Sequence, residues 1–265
     1  MYERAKYCLE DHLYGRLHDF LKWYGGGLFS EQVDLARVRS VLDVACGSGE
    51  WVLDMAFQYP HIQFVGLDGD ASRIGYARAH ARVLGLENVS FVVSGIRQMK
   101  LPSGYYDLVH GRFLSAVMSP STERALCAEM LRVCTVRGRV ILRELLYPTT
   151  NSAACQCWCE LLRQLARRME RLVGMANKLD SALYGAGCRK VHGITHKIDI
   201  AHATPAHRAL CAKAWEVMEF TKPFFSHYQI VSGGQFERLC AEVMIELDAE
   251  TFRGEWPLVT FVGRK

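Results

Sequence analysis

The 265-residue chain is half hydrophobic and 23% charged, a balance that favours a globular protein of one large domain, or of one domain and a small lid. Its formal net charge of +4 is modest and its Lys and Arg residues are scattered, which argues against nucleic acid as the main partner. The N-terminal residues are charged and no long apolar run follows, so we expect no signal peptide and no membrane partner. We expect a cytoplasmic protein, in which the ten cysteines are mostly buried free thiols.

Short β-rich apolar runs alternate with helical stretches between about residues 40 and 145. This alternation is typical of a parallel sheet covered by helices, and five such runs in one stretch predict a doubly wound α/β fold. The predicted strands are Ser40 to Val44, Gln63 to Leu67, Val89 to Val93, Tyr106 to His110 and Arg139 to Arg143, with two later ones at Lys190 to Ile200 and Leu258 to Val262.

Glycine, proline and capping residues mark the ends of the intervening helices. The first is predicted to open after Gly49 and to stop at Pro60; the second starts at Asp70 or Ser72 and ends at Gly85. A third begins near Ser119-Pro120 and ends before Gly138, with one apolar stripe formed by Leu126, Met130, Val133 and Cys134.

The chain outside these elements divides by composition. We predict a helical N-terminal lead-in over residues 1–30, the sheet core over 31–147, a mostly helical lid with one core strand over 148–235, and a closing helix and strand over 236–265. Within the lid, Cys155, Cys157 and Cys159 alternate along a helical stretch, which places Cys157 opposite the other two. The paired spacing of zinc sites is absent, so we predict no metal.

The first predicted strand runs straight into a small-residue turn, in the stretch Val41-Leu42-Asp43-Val44-Ala45-Cys46-Gly47-Ser48-Gly49. A ligand can approach the backbone there, at the carboxyl end of the strand. The next strand is followed by Asp68, whose carboxylate can accept both hydroxyls of a ribose. A nicotinamide or flavin cofactor would need a third glycine where Val52 stands, and Asp43 would repel a pyrophosphate but suit a cofactor with an ammonium and a sulfonium.

These motifs resemble the class I S-adenosylmethionine (SAM)-dependent methyltransferases, above all their small-molecule branch. The resemblance covers about residues 40 to 145 and includes Phe64 to Asp68, Phe91 to Ile96 before Leu101-Pro102, and Tyr106 to His110. It implies a Rossmann-like, mostly parallel sheet of seven strands with a helical N-terminal segment and helical lid insertions. It also implies SAM as cofactor and S-adenosylhomocysteine (SAH) as product.

The resemblance also assigns cofactor contacts. It places a turn around the methionine part, an acid on the ribose, small residues beside the adenosine, and a lead-in segment folded over the methionine carboxylate. Gly95 stands where the family often has an Asp that meets the adenine amino group. The implied cofactor residues are Tyr14, Arg16, Asp43, Ala45, Gly47, Gly49, Asp68, Gly69, Asp70, Ile96 and Arg112.

Methyl transfer needs an in-line approach in a site that excludes water, and a general base only if the acceptor loses a proton. His110, Arg112, Glu144 and Tyr147 follow the fourth and fifth predicted strands and would face the transferred methyl. His110 is either a catalytic base or a residue that orients SAM. Glu144 either accepts a proton and stabilises a developing cation, or forms a structural pair with Arg143 or Arg112.

The helical region supplies a second pool of candidates. Its histidines are irregularly spaced and fit no metal template, and His227, followed by Tyr228, is the catalytic candidate among them. The aromatic run before it either lines an apolar substrate pocket or forms an ordinary lid core. The other histidines are His192, His196, His202 and His207, and the aromatic run with its apolar neighbours is Trp215, Met218, Phe220, Phe224 and Phe225.

The sequence thus favours a SAM-dependent methyltransferase that acts at O, N or C of a small acceptor, apolar or aromatic and secondary-metabolite-like. Alternatives are a protein of the same fold with a non-methylating reaction such as cyclisation, an RNA methyltransferase, and a nicotinamide oxidoreductase. The oligomeric state, with a homodimer among the options, is left open.

Overall fold

A computed structural model describes residues 17–29, 33–116, 118–119, 122–171 and 179–265. The chain divides into two compact units. Among the described residues, the core unit has those of 26–144, 179–195 and 259–265, and the helical unit has those of 17–25, 145–171 and 196–258.

The described residues form a sheet of eight strands, which are β1 (Ser40–Val44), β2 (Gln63–Asp68), β3 (Val89–Val93), β4 (Tyr106–Arg112), β5 (Cys134–Leu145), β6 (Thr149–Thr150), β7 (Lys190–Asp199) and β8 (Gly254–Arg264). Their order is β3-β2-β1-β4-β5-β8-β6, with β7 paired to β8. The pairs β3-β2, β2-β1, β1-β4 and β4-β5 are parallel, which confirms the predicted α/β fold with a mostly parallel sheet. The described residues contain one strand more than the seven predicted, because the two-residue β6 pairs antiparallel with β8.

The second predicted helix begins directly after one of its two predicted capping residues. Asp70 accepts hydrogen bonds from the backbone N–H groups of Ser72 and Arg73, which confirms it as the cap of the second predicted helix. In the part of the chain that the structure describes, no helix combines the length and apolarity needed to cross a membrane. The helices are α1 (residues 17–24), α2 (Glu50–Gln58), α3 (Ala71–Val83), α4 (Glu123–Val133), α5 (Ala153–Arg168), α6 (Leu179–Ala186), α7 (Pro205–His227) and α8 (Gly233–Asp248), with a 3₁₀ turn at Leu114–Ala116.

The junction of α4 and β5 differs from the prediction at both ends of the helix. The helix begins at Glu123, after Thr122, and Pro120 lies outside the described residues. Cys134 was predicted on the helical stripe, but its backbone is extended (φ −72°, ψ 141°) and it opens β5. Helix and strand follow one another without a loop, so the apolar pattern of the helix runs on into a buried strand residue.

The core unit packs α2 and α3 against the parallel strands. Trp51, Phe64 and Ile74 are at most 1% exposed, and Phe91 from β3 fills the space beneath the turn between β1 and α2. Burial of such large side chains stabilises the unit by about 1.5–3 kcal/mol each. This packing fixes the carboxyl ends of β1, β2 and β4, where the candidate site residues lie.

Candidate functional site

The turn between β1 and α2 has a tightly specified backbone. Ala45, Gly47 and Gly49 all have positive φ values, of 55°, 59° and 88°. A Cβ on Gly49 would lie 2.9 Å from the ring of Phe91, whereas a Cβ on Gly47 would meet nothing within 4 Å. The turn is therefore packed on its inner side and open at Gly47.

Asp68, at the end of β2, holds this turn in place. Its Oδ2 accepts a hydrogen bond from the backbone N–H of Gly47 at 2.9 Å, and its Oδ1 accepts one from the N–H of Asp70 at 2.9 Å. A carboxylate oxygen can accept more than one hydrogen bond, so Asp68 keeps acceptor capacity for a ligand hydroxyl.

Asp43 and His110 form the second polar pair of the site. They are opposite each other in the parallel register of β1 and β4, and His110 Nδ1 lies 2.9 Å from Asp43 Oδ1. Asp43 is 3% exposed and His110 1%. Burial lowers the pKa of His110, an effect that Asp43 opposes, so the neutral imidazole donates its Nδ1–H to the carboxylate.

Trp51, in the first turn of α2, covers the face of His110. The two ring centroids are 3.7 Å apart and the planes differ by 20°. Trp51 Nε1 donates to the carbonyl oxygen of Leu28 at 2.6 Å, and Phe29 lies 6.0 Å from the Trp51 ring. The guanidinium of Arg112, a cofactor candidate, lies over the same ring at 5.9 Å from its centroid, within the range of a cation–π contact.

Glu144, near the end of β5, is a buried carboxyl group held by hydrogen bonds from the backbone of Leu114 and from Ser115, both in the 3₁₀ turn. Ser115 donates its backbone N–H to Oε1 at 3.1 Å and its Oγ–H to Oε2 at 2.7 Å. Burial raises the pKa of Glu144 to about 7. Arg143 donates to the carbonyl oxygen of Gly27 at 3.0 Å, and its own burial lowers its pKa to about 10. Sequence reasoning missed Ser115, because it belongs to no motif.

The residues expected beside the adenosine are less enclosed. Gly69 is exposed, Ile96 is half-buried and Asp70 already caps α3. A Cβ on Gly95 would meet nothing within 4 Å, so the position usually held by an acid has room for a side chain. Tyr14 and Arg16 lie outside the described residues.

In the helical unit, the aromatic run is largely core. Phe225 packs 5.4 Å from Trp158 and 5.6 Å from Phe236, which favours the lid-core interpretation for this residue over a pocket lining. Trp215 is 50% exposed. His227 is exposed at the end of α7, edge-on to Tyr228 at 5.0 Å.

Two of the remaining histidine candidates contact backbone carbonyl groups. His207 Nε2 lies 2.8 Å from the carbonyl oxygen of Leu247, and His196 Nε2 lies 3.0 Å from that of Tyr24. The Arg163 guanidinium lies 4.4 Å from the Tyr147 ring.

On α5 the predicted helical placement of the three cysteines is confirmed, since Cys157 is exposed while Cys155 and Cys159 are buried.

A parallel sheet in this order, a glycine turn after β1 and an acid at the end of β2 are typical of the class I SAM-dependent methyltransferases. Residues 41–138 match the family described as "Methyltransferase domain", and this segment is a domain of that family. SAM is the cofactor of the class. The residues present fit it, because the turn is open at Gly47 and two buried carboxylates, Asp43 and Asp68, lie at the carboxyl ends of adjacent strands.

Known proteins similar to this chain act on different substrates. A probable (S)-tetrahydroprotoberberine N-methyltransferase 2 of Papaver bracteatum is 30% identical over 78 residues, which are 29% of this chain and 22% of that protein. A U6 snRNA (guanine-N(2))-methyltransferase of Bos taurus is 29% identical over 114 residues, which are 41% of this chain and 23% of that protein. The chain thus spans less than half the length of the first curated relatives that it matches.

Similarity to a solved structure extends over more of the chain. The phosphoethanolamine N-methyltransferase 2 of Haemonchus contortus, in complex with phosphomonomethylethanolamine and SAH, has a TM-score of 0.56. The match covers 95% of this chain and 52% of that one at 12% identity. At this identity the likeness shows a shared fold.

Proposed function

We propose that this chain transfers the methyl group of SAM to a small organic acceptor, apolar or aromatic, at O, N or C. The observation that carries the proposal is the turn open at Gly47 between two buried carboxylates, Asp43 and Asp68. The Asp43 carboxylate suits a cofactor with an ammonium and a sulfonium and disfavours one with a pyrophosphate, and the Asp68 carboxylate suits a cofactor with a ribose.

Each residue of the turn has a defined part in this proposal. Asp43 faces the cofactor ammonium, Gly47 and Gly49 let the methionine part approach the backbone, and Asp68 accepts the ribose hydroxyls. When bound, SAM supplies a methyl group on a positively charged sulfur, which is the electrophile. Flanking contacts are proposed for Ala45, Gly69, Ile96 and Arg112, whereas Tyr14 and Arg16, which the family resemblance assigns to the methionine carboxylate, lie outside the described residues.

Glu144 is the strongest candidate for proton transfer. A carboxyl group with a pKa of about 7 exchanges protons readily at neutral pH, and Ser115 fixes its orientation from two donors. An acceptor hydroxyl or ammonium that loses its proton during methylation would be served by such a base. For an acceptor that is already nucleophilic, the ionised Glu144 would stabilise the developing cation instead.

The acceptor class is proposed from the charge of the chain and from its relatives. The modest, scattered positive charge and the likeness to an alkaloid N-methyltransferase support a small molecule. Because the chain is also similar to an RNA methyltransferase, RNA is the alternative acceptor that the experiment must compare with small molecules.

The deciding experiment follows tritium from methyl-labelled SAM into acceptors. We expect label in at least one of a panel of phenols, amines and enolisable ketones, and none in total RNA or tRNA transcripts. Glu144→Gln should lower kcat at pH 7 by about 10²-fold or more if the acceptor is a phenol. SAH binding without label in any acceptor would favour the non-methylating alternative, and label in RNA would overturn the small-molecule assignment.

A further inference from the structure

We infer that His110 is a positioning residue that holds the Asp43 carboxylate in the orientation needed to bind the cofactor ammonium. This inference rests on the proposed function and deepens it. It assigns one of the two roles that the sequence left open for His110.

The contact is built into the sheet. Asp43 and His110 are register partners on adjacent parallel strands, and the Asp43 Oδ1 to His110 Nδ1 distance is 2.9 Å. A buried carboxylate is free to rotate about its terminal bond unless a donor fixes it, and Asp43 is 3% exposed. The hydrogen bond occupies Oδ1 and leaves Oδ2 with a defined direction.

The donor ring is fixed as well. Trp51, itself 0% exposed, stacks on His110 at 3.7 Å. The indole is held in turn by its hydrogen bond to the Leu28 carbonyl oxygen at 2.6 Å. Leu28 thus holds Trp51, Trp51 holds His110, and His110 holds the Asp43 carboxylate. These contacts fix the orientation of the carboxylate before any ligand binds.

The same surroundings make His110 a poor proton acceptor. Its burial lowers its pKa, and the positive charges of Arg112 and Arg143 act in the same direction. A neutral ring that has committed its Nδ1–H to Asp43 is suited to act as a fixed donor.

The test compares two ligands in isothermal titration calorimetry. SAH carries the ammonium, whereas 5′-methylthioadenosine shares the adenosine and thioether and lacks the amino-acid part. His110→Phe keeps a ring against Trp51 and removes the donor, and should weaken SAH binding by roughly tenfold or more while 5′-methylthioadenosine binding stays within about twofold. His110→Asn keeps a donor near the position of Nδ1 and should retain SAH binding within about threefold.

Asp43→Asn supplies the second arm, because it removes the charge that His110 is proposed to orient. In that background His110→Phe should weaken SAH binding by no more than about twofold, since the two effects act through one carboxylate. Additive losses, equal losses for both ligands, or no loss in His110→Phe would overturn the inference while wild-type SAH binding upholds the cofactor assignment. If the wild-type protein binds neither ligand, the proposed function fails and the inference fails with it.

Discussion

Gly47 and Gly49 lie two residues apart in one turn but face different surroundings. A methyl group at Gly49 meets Phe91 at 2.9 Å and adds to the strain of a φ of 88°, so Gly49→Ala should lower the free energy of unfolding by about 2–4 kcal/mol. A methyl group at Gly47 meets nothing within 4 Å, so Gly47→Ala should cost only about 1 kcal/mol. Urea unfolding of the two variants measures this difference.

The matched pair also separates stability from binding. The methyl of Gly47→Ala projects into the opening that the proposal assigns to the methionine part, so SAH affinity in calorimetry should fall at least tenfold although the fold is nearly unchanged. Equal destabilisation of the two variants would contradict the packing argument. Full SAH affinity in Gly47→Ala would place the ligand elsewhere.

Glu144 should leave a mark on the pH dependence of stability. Its pKa is raised from 4.5 to about 7 by burial, so between these values the folded protein keeps a proton that the unfolded chain releases. The stability that the wild-type protein has with Glu144 protonated is therefore fully present below pH 4.5 and is lost as the pH rises to about 7. Glu144→Gln cannot ionise, so relative to wild type its free energy of unfolding should rise by about 2–3 kcal/mol between pH 5 and pH 8.

Urea unfolding at pH 5 and pH 8 tests the prediction for Glu144→Gln. Glu129→Gln is the control, because the pKa of Glu129 is shifted in the opposite direction. Hydrogen bonds from Arg132 lower the pKa of Glu129, so its carboxylate stabilises the fold above its ordinary pKa. That variant should therefore be less stable than wild type at pH 8. A difference between Glu144→Gln and wild type that does not change with pH would mean that Glu144 is ionised throughout.

At the scale of elements, one side chain ties β1 to β4 at the end opposite the site. Asp107 Oδ2 accepts from the backbone N–H groups of Arg39 at 2.9 Å and Ser40 at 3.1 Å, and from Ser40 Oγ at 3.1 Å. Asp107→Ala leaves these donors without their acceptor and should cost about 2 kcal/mol, whereas Asp107→Asn keeps one acceptor oxygen and should cost about half as much.

Urea unfolding gives the two costs, and SAH calorimetry gives the control. Because Asp107 lies at the amino ends of the strands, both variants should bind SAH within about twofold of wild type. A loss of SAH affinity as large as that of Gly47→Ala would show that the two ends of these strands are coupled.

Most strands and helices of the core unit could be predicted from the sequence. Strands β1 to β5 and helices α2 and α3 were predictable because hydrophobic period, glycine, proline and caps agree locally. The junction at Cys134 was not, since a buried strand residue continues the apolar stripe of α4. Within the site, Asp43, Gly47 and Asp68 carry a motif, whereas Ser115 meets Glu144 and Leu28 meets Trp51 only through tertiary contacts that no local pattern encodes.

At the scale of the whole molecule, each compact unit is assembled from three separate stretches of chain. Such interleaving depends on long-range contacts, which composition and periodicity do not report. The family motifs instead fall within one continuous range, residues 41–138, which is why the cofactor class was accessible from sequence while the assembly of the helical unit was not.

The cofactor class has a consequence for the stability of the whole protein. A ligand that binds only the folded state stabilises it by about 2.7 kcal/mol at a hundredfold excess over its Kd, which for a chain of this size corresponds to a rise in Tm of roughly 5–10 °C. SAH should produce this rise in differential scanning fluorimetry. NADH should produce none, because its pyrophosphate would meet the buried carboxylate of Asp43, and Val52 stands in the place of the third glycine. Stabilisation by NADH and not by SAH would reassign the site to a nicotinamide cofactor. The Gly47→Ala variant, with its weaker SAH affinity, should show about half of the wild-type rise in Tm or less at the same SAH concentration.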